Sequence, residues 1–297
     1  MQKLVFFCVI LCVSTSLYSQ DYLDVLKVTY NGATLGNVDT EAETEVDNTF
    51  VEFYFPLPVT SDISIIGGFT YENTRLGLNF LPSRTNLIMT RLNLGIKYDH
   101  GNKWSGTYVA LPKLASDFSE GAGDNFQMGG LALLEKRYSS KYVFKFGAYV
   151  SSENFGTTIT PLVGLWYKSE NSKFTVNATL PIRTDVNYAV TDRFSLGANL
   201  VTSIKSYNLS ATDSQQYVQE ESIRFSLFGG YAFLDNTLVA RAKIGLDTTD
   251  YGLYNQGDKV GAQLLTFQLG GDDRTRLNNE FDSSIFYGVD LIYRLGL

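Results

Sequence analysis

The residues most often used in catalysis are scarce in this chain of 297 residues. The single histidine, His100, lies in the polar stretch Asp99-His100-Gly101-Asn102, and the only cysteines are Cys8 and Cys12. Membrane-embedded hydrolases pair a serine or an aspartate with a histidine, because neutral imidazole accepts a proton near pH 7. A histidine in a turn that contains Gly and Asn is typical of a solvated side chain. We therefore predict no enzyme activity, no catalytic, cofactor-binding or metal-binding residues, and no cofactor.

A run of alternating carboxylates is the most unusual local feature. It comprises Asp39, Glu41, Glu43, Glu45 and Asp47. On an extended chain these side chains share one face and repel each other unless a cation or a basic partner neutralises them. The run lacks the glycine turn of a dedicated calcium loop, which favours a solvated external loop. A divalent cation such as Ca²⁺, with Asp272 and Asp273 as further ligands, remains the alternative.

Composition excludes several classes of protein. With 44% hydrophobic, 14% aromatic and 19% charged residues, the chain is too apolar to be disordered. Its formal charge of -7 excludes a nucleic-acid partner, because phosphate binding requires a basic face. Abundant Gly (26), Tyr (19) and Phe (20) with only 6 Pro favour strands over helices.

Residues 1–19 have the pattern of a cleavable signal peptide. Lys3 supplies the positive region, Leu4 to Val13 form the apolar run, and Ser14 to Ser19 form the small, polar exit. Both cysteines lie in this segment, and Leu11 before Cys12 disfavours a lipoprotein. We predict a mature domain of residues 20–297 in which no apolar run is long enough for a spanning helix.

Strict alternation of apolar and polar residues recurs along the mature domain. Clear examples are Leu87 to Tyr98, Tyr142 to Ser151 and Phe194 to Lys205, and this period of two is typical of half-buried strands. Short polar turns alternate with longer segments, one of them Ser152 to Thr157. The pattern predicts fourteen strands, or twelve or sixteen if the short pair around Leu180 or the segment Val260 to Leu269 is misassigned. The predicted starts are Leu23, Thr49, Ile63, Leu87, Trp104, Gln127, Tyr142, Thr158, Phe174, Thr184, Phe194, Glu221, Thr237 and Ser284.

Aromatic residues beside the short turns indicate a membrane. They lie on the apolar faces of the strands, as in the pairs Tyr138 and Tyr142, and Tyr167 and Phe174. A ring of aromatics at one level is the interfacial girdle of a membrane-spanning barrel. The sequence therefore predicts an all-β, transmembrane, antiparallel up-and-down β-barrel in the outer membrane, with outer-membrane lipid as a partner.

Two resemblances agree with this architecture. The alternating C-terminal end, Tyr287 to Leu297, resembles the closing strand of bacterial outer-membrane proteins that the barrel assembly machinery recognises, although those proteins usually end in Phe. Residues 50 to 297 resemble a family of uncharacterised outer-membrane β-barrel proteins, catalogued as a domain of unknown function. The motifs that carry the resemblance are Pro161 to Tyr167, Leu180-Pro181, Tyr188 and Ser195-Leu196-Gly197. That resemblance implies a barrel and brings no catalytic residues.

More bases than acids lie on the predicted inward faces, so the excess acid, Glu220 included, is expected in external loops. The sequence is compatible with two functions. The first is a passive conduit for small solutes with a mild anion preference, because fixed bases concentrate anions. The second is a closed, non-transporting barrel that presents acidic external loops for binding or envelope structure. The candidate lumen residues are Arg91, Lys97, Glu135, Lys145, Arg224, Arg241, Lys243, Asp290 and Arg294.

The predicted maturation is tested by cell fractionation. We expect the mature protein to start near Gln20, to fractionate with the outer membrane, and to migrate differently in gels before and after heating, because folded barrels resist detergent. Recovery of a soluble periplasmic protein would overturn this prediction.

Overall fold

The computed structural model describes residues 22–78, 84–119, 125–209, 215–264, 267–269 and 272–296. The predicted signal peptide and Leu297 lie outside these ranges. The described elements are all strands: β1 (Tyr22–Gly36), β2 (Glu43–Pro58), β3 (Ile63–Leu76), β4 (Thr85–Gly101), β5 (Trp104–Ser116), β6 (Phe126–Ser139), β7 (Tyr142–Glu153), β8 (Gly156–Lys168), β9 (Phe174–Leu180), β10 (Arg183–Ala189), β11 (Phe194–Leu209), β12 (Gln216–Phe233), β13 (Leu238–Asp247), β14 (Asp250–Asn255), β15 (Ala262–Leu264), β16 (Phe267–Leu269) and β17 (Ser284–Gly296).

Fourteen of these strands form a closed antiparallel barrel. Neighbours pair in chain order from β1 to β13, β13 pairs with β17, and β17 pairs with β1 from Tyr22↔Gly296 to Ala33↔Phe286. The predicted fold class and strand number are therefore confirmed. Within the described ranges, no helix is long and apolar enough to cross a membrane.

The two ends of the barrel differ in their connections. The chain enters at β1 and leaves at β17 on the end with short turns, such as Asn102–Lys103 between β4 and β5. One predicted long connection, Ser152 to Thr157, is wrong. The β7–β8 pairing continues to Glu153↔Gly156 and leaves a two-residue turn, since Gly156 adopts a φ of 133° that favours glycine.

The outer surface of the barrel is apolar. Exposed side chains alternate along each strand with inward ones, as Leu92 and Leu94 do on β4 and Val289 and Leu291 do on β17. The aromatics beside the short turns meet in register, since Tyr142 pairs with Tyr167, Phe174 with Tyr188, and Phe194 with Tyr231. This apolar band with an aromatic rim is the exterior of a transmembrane barrel.

The wall has a step at β9 and β10, which are only seven residues long. β9 pairs with β8 only from Val163 to Lys168, which leaves the upper edge of β8 without β9. β15 pairs there in parallel, with Ala262 to Leu264 beside Thr157 to Ile159. Val260 to Leu269 thus lies within the last long connection, as predicted, and part of it extends the wall.

A pair of arginine substitutions tests the orientation of the wall side chains. Leu92→Arg places a cation in the lipid-facing band, which costs roughly 2–4 kcal/mol near the bilayer midplane. The control Asn199→Arg places the same group inside, on the face that carries Arg183 and Asp185. We expect Leu92→Arg to lower the heat-resistant folded fraction strongly and Asn199→Arg to lower it little. Equal losses would contradict the assigned orientation.

Candidate functional site

All nine predicted lumen residues lie on the inward face of the wall. Most of the bases have an acidic partner there. The ion pairs are Lys97–Glu135 (2.9 Å), Arg224–Asp247 (2.8 Å), Arg241–Asp185 (2.7 Å), Lys243–Asp290 (2.7 Å) and Arg294–Asp24 (3.0 Å). Lys145 instead donates to Asn177 Oδ1 at 2.7 Å. Among the described residues, the Arg91 guanidinium makes one side-chain hydrogen bond, to Thr70 Oγ1 at 3.4 Å.

An inward-folded sheet occupies the long-loop end of the barrel. We call it the plug and define it as residues 205–209 of β11, 216–221 of β12 and β14. β12 lies in its centre, paired with β11 and with β14. In the plug, consecutive residues are buried, as in Tyr217 to Glu220, whereas wall strands alternate. Burial on both faces, together with contacts to β3, β5 and β7 across the barrel, places the plug inside the long-loop end of the lumen.

One face of the plug is apolar and packs on the inside of β1 to β5. Tyr207, Val218 and Leu253 contribute to it from the three plug strands. They join wall residues and Phe281 in one buried cluster, which comprises Leu35, Val46, Leu76, Leu78, Leu87, Met89, Ala115, Tyr207, Leu209, Val218, Tyr251, Leu253 and Phe281. At the far side of the lumen the plug backbone meets the wall, where Asn208 forms a parallel bridge with Ser116 of β5.

Two buried wall carboxylates hold the β11 part of the plug, residues 205–209, which we call its tip. Lys205 Nζ lies 2.5 Å from Glu72 Oε2 of β3 and 3.1 Å from Glu220 Oε1 within the plug. Glu153 of β7 accepts the Ser206 backbone N–H at 2.8 Å and its hydroxyl at 2.9 Å. These contacts cross the lumen, because β11 is several strands away from β3 and β7.

Glu153 is compensated by a second base. Lys113 Nζ lies 2.5 Å from Glu153 Oε1, and the two side chains are 3% and 0% exposed. Ser151 Oγ donates to the same oxygen at 2.6 Å. A buried carboxylate is tolerated only with such partners, because leaving a charge unpaired away from water is costly.

The last connection covers the opposite face of the plug. Arg274 stacks on Tyr254 with 4.0 Å to the ring centroid, and it donates to Tyr217 Oη at 2.8 Å and to Gln219 Oε1 at 2.7 Å. Asp258 accepts from Tyr217 Oη through its backbone carbonyl at 2.7 Å. The plug is therefore enclosed between the wall and this connection.

The sequence did not predict the plug. Glu220 was expected in an external loop, and this expectation is wrong because Glu220 is buried beside Lys205. A signal was present: Gln216 to Glu221 combines bulky apolar and ionisable residues without alternation, as a strand enclosed on both faces requires.

Below the plug, an ion pair spans the lumen. Arg183 Nη1 on β10 lies 3.2 Å from Glu52 Oε2 on β2, nearly opposite in the strand order. Their side chains are 45% and 27% exposed, so this level of the lumen has space for water. Lys27 is the register partner of Glu52 on β1, and Arg91 lies in the same register row on β4, across Thr70 of β3. Arg183 and Lys27 were not among the predicted lumen residues.

The acidic run and His100, the two other features singled out in the sequence, contact nearby side chains. Arg84 lies 3.3 Å from Glu45 and 3.4 Å from Asp47 in the acidic run. Across the described ranges, no group of three or more His, Cys, Asp or Glu side chains is arranged to hold a metal ion. His100 is exposed, and its Nε2 lies 3.1 Å from Tyr108 Oη.

Residues 73–248 match the family model described as a domain of unknown function (DUF6268). The resemblance to an uncharacterised barrel family, which was expected over residues 50 to 297, is thus confirmed over a shorter span. No curated protein matches the chain.

Several solved structures are similar in fold. An outer membrane channel from Pseudomonas putida F1 is 11% identical over 95% of this chain and 100% of that one, with a TM-score of 0.47. The toluene transporter TodX from Pseudomonas putida is 12% identical over 90% and 88%, with a TM-score of 0.37. The translocator domain of the autotransporter NalP from Neisseria meningitidis is 10% identical over 93% and 90%, with a TM-score of 0.38.

Removing one partner of the Lys113–Glu153 pair tests the role of the buried carboxylate. We expect Lys113→Met to lower the free energy of unfolding by roughly 3–5 kcal/mol, because Glu153 is left without its cation. Adding Glu153→Met should recover much of the loss. The control Arg84→Met removes an exposed pair, which contributes about 1 kcal/mol or less. The measurement is urea unfolding of the barrel in detergent, and equal effects of Lys113→Met and Arg84→Met would refute the assignment.

Proposed function

We propose that this chain, which belongs to the family described as a domain of unknown function (DUF6268), is an outer-membrane conduit for small solutes. In this proposal the plug closes the conduit. The observation that carries this proposal is that few backbone bonds join the tip of the plug to the wall strands that it faces across the lumen. Neighbouring wall strands such as β3 and β4 pair along long backbone ladders, whereas the plug tip meets β5 through the single bridge Asn208↔Ser116. The tip meets β3 and β7 through bonds to the side chains of Glu72 and Glu153. Moving the tip would leave the wall intact.

The apolar exterior and its aromatic rim support a location in the outer membrane. A barrel with this surface needs lipid around it, and β17 carries the alternating end expected of a strand that the barrel assembly machinery binds. Outer-membrane lipid and that machinery are accordingly part of the proposal.

The preferred solutes are small anions. Inward charges below the plug are mostly basic, and fixed charges in a narrow lumen with low-dielectric walls concentrate counter-ions. The bases are Lys27, Arg91, Lys97, Lys145, Arg183, Arg241, Lys243 and Arg294, and the acids are Asp24, Glu52, Glu135, Asp185 and Asp290. The excess of bases gives a mild anion preference.

A closed barrel that presents its external loops is the second candidate. Extensive apolar packing between the plug and β1 to β5 favours it, because opening would expose that cluster. The two functions differ in a single measurable property, which is whether the plug ever leaves the lumen.

Conductance of the purified protein in a planar bilayer decides between them. Lys205→Glu places a third carboxylate beside Glu72 and Glu220, and like charges in a buried site repel strongly. We expect this variant to raise the open probability at least tenfold over the unsubstituted protein. The control Lys141→Glu lies in a solvated short turn beside Glu170 and should leave conductance unchanged.

A reversible lock supplies the complementary test. The double variant Ser116→Cys/Asn208→Cys places thiols at bridge partners, whose spacing suits a disulfide. Oxidation should abolish current and a reductant should restore it. If Lys205→Glu folds to a heat-resistant barrel and stays silent, the conduit proposal fails and the closed barrel is favoured.

A further inference from the structure

We propose that the ion pair below the plug is part of a binding site for a doubly charged oxyanion of the phosphate class, formed by Arg91, Arg183 and Lys27 around Glu52. This inference rests on the proposed function, because it names the solute that the conduit would hold. It depends on the balance of charge and on the hydrogen-bonding capacity that these side chains leave unused.

The charges at this level do not balance. Glu52 is one carboxylate, yet Arg183 lies 3.2 Å from it and Lys27 is its register partner on β1. Arg91 lies in the same register row, two strands away across Thr70. Lys27 has a second carboxylate, Asp290, at 3.4 Å, but Asp290 is already held by Lys243 at 2.7 Å. Three cations therefore face Glu52, which leaves an excess of about two positive charges.

Arg91 has donors to spare. Its one hydrogen bond, to Thr70 Oγ1, is long at 3.4 Å, and its Nε is buried with no partner. Its register partners on β3 and β5 are Thr70 and Lys113. The Lys113 ammonium forms an ion pair with Glu153. Among the described residues, no carboxylate lies within ion-pair distance of the Arg91 guanidinium.

These features fit a phosphate-type oxyanion. Guanidinium groups present rigid pairs of N–H donors that match the oxygens of phosphate, and an ammonium adds a point charge. Two negative charges on the ligand would neutralise the excess. Arg183 and Glu52 are 45% and 27% exposed, so there is space beside them for an anion.

Glu52 has a specific part in this site. It neutralises one cation while the site is empty, and it competes with a bound anion for Arg183. Removing its charge should strengthen anion binding, whereas removing an arginine should weaken it. A purely structural ion pair predicts neither effect.

The test is calorimetric titration of the purified full-length barrel with inorganic phosphate in detergent at low ionic strength, with chloride at matched ionic strength as the reference. We expect phosphate to bind, Arg91→Gln and Arg183→Gln each to weaken its affinity roughly tenfold or more, and Glu52→Gln to tighten it. Arg183→Lys should bind with intermediate affinity, and the exposed turn variant Arg193→Gln should match the unsubstituted protein.

Three outcomes overturn the site. They are no phosphate binding by the unsubstituted barrel, binding no stronger than that of chloride, and equal binding in the Arg183→Gln and Arg193→Gln variants. Heat-modifiable migration of each variant confirms that it is folded before it is titrated. Because binding is measured without current, phosphate binding in a silent barrel retains the site and rejects the conduit, whereas conduction without phosphate binding does the reverse.

Discussion

The closed circuit of backbone hydrogen bonds around the wall is the constraint on which the rest of the molecule depends. A bilayer offers no water to peptide groups, so each strand within it needs partners on both edges. β1 meets this requirement by pairing with β2 on one side and with β17 on the other. Because the circuit is complete without the plug, the interior can hold charged and polar groups that the lipid-facing surface excludes.

The wall was predictable from sequence for the same reason. Each wall residue faces either lipid or lumen, so hydrophobicity alternates, and even the seven-residue strands β9 and β10 produce a readable pattern. Residues 205–209 and 216–221 are parts of β11 and β12, the same strands that form the wall lower down. In the plug, however, these residues are enclosed on both faces. Alternation disappears there, so the sequence pattern predicts long loops for much of the plug and places Glu220 in water.

Contacts across the lumen cannot be predicted from the alternation of residues. Alternation shows that Arg183 and Glu52 point inward, but their meeting depends on strand tilt and stagger, which fix the depth at which each side chain lies. These two residues are 131 positions apart and belong to strands on opposite sides of the barrel. The candidate lumen residues could therefore be identified singly from the sequence, whereas the group around Glu52 required the three-dimensional arrangement.

The step at β9 and β10 bears on the order in which the barrel is completed. Hairpin neighbours pair locally, whereas β15 joins β8 across about a hundred residues, and such distant pairings carry a larger loop-closure entropy and form late. The wall thus gains its circumference from consecutive hairpins and the final β1–β17 pairing, and its full height beside β8 only when the last connection docks. That connection also covers the plug, so its docking couples completion of the wall beside β8 to enclosure of the plug.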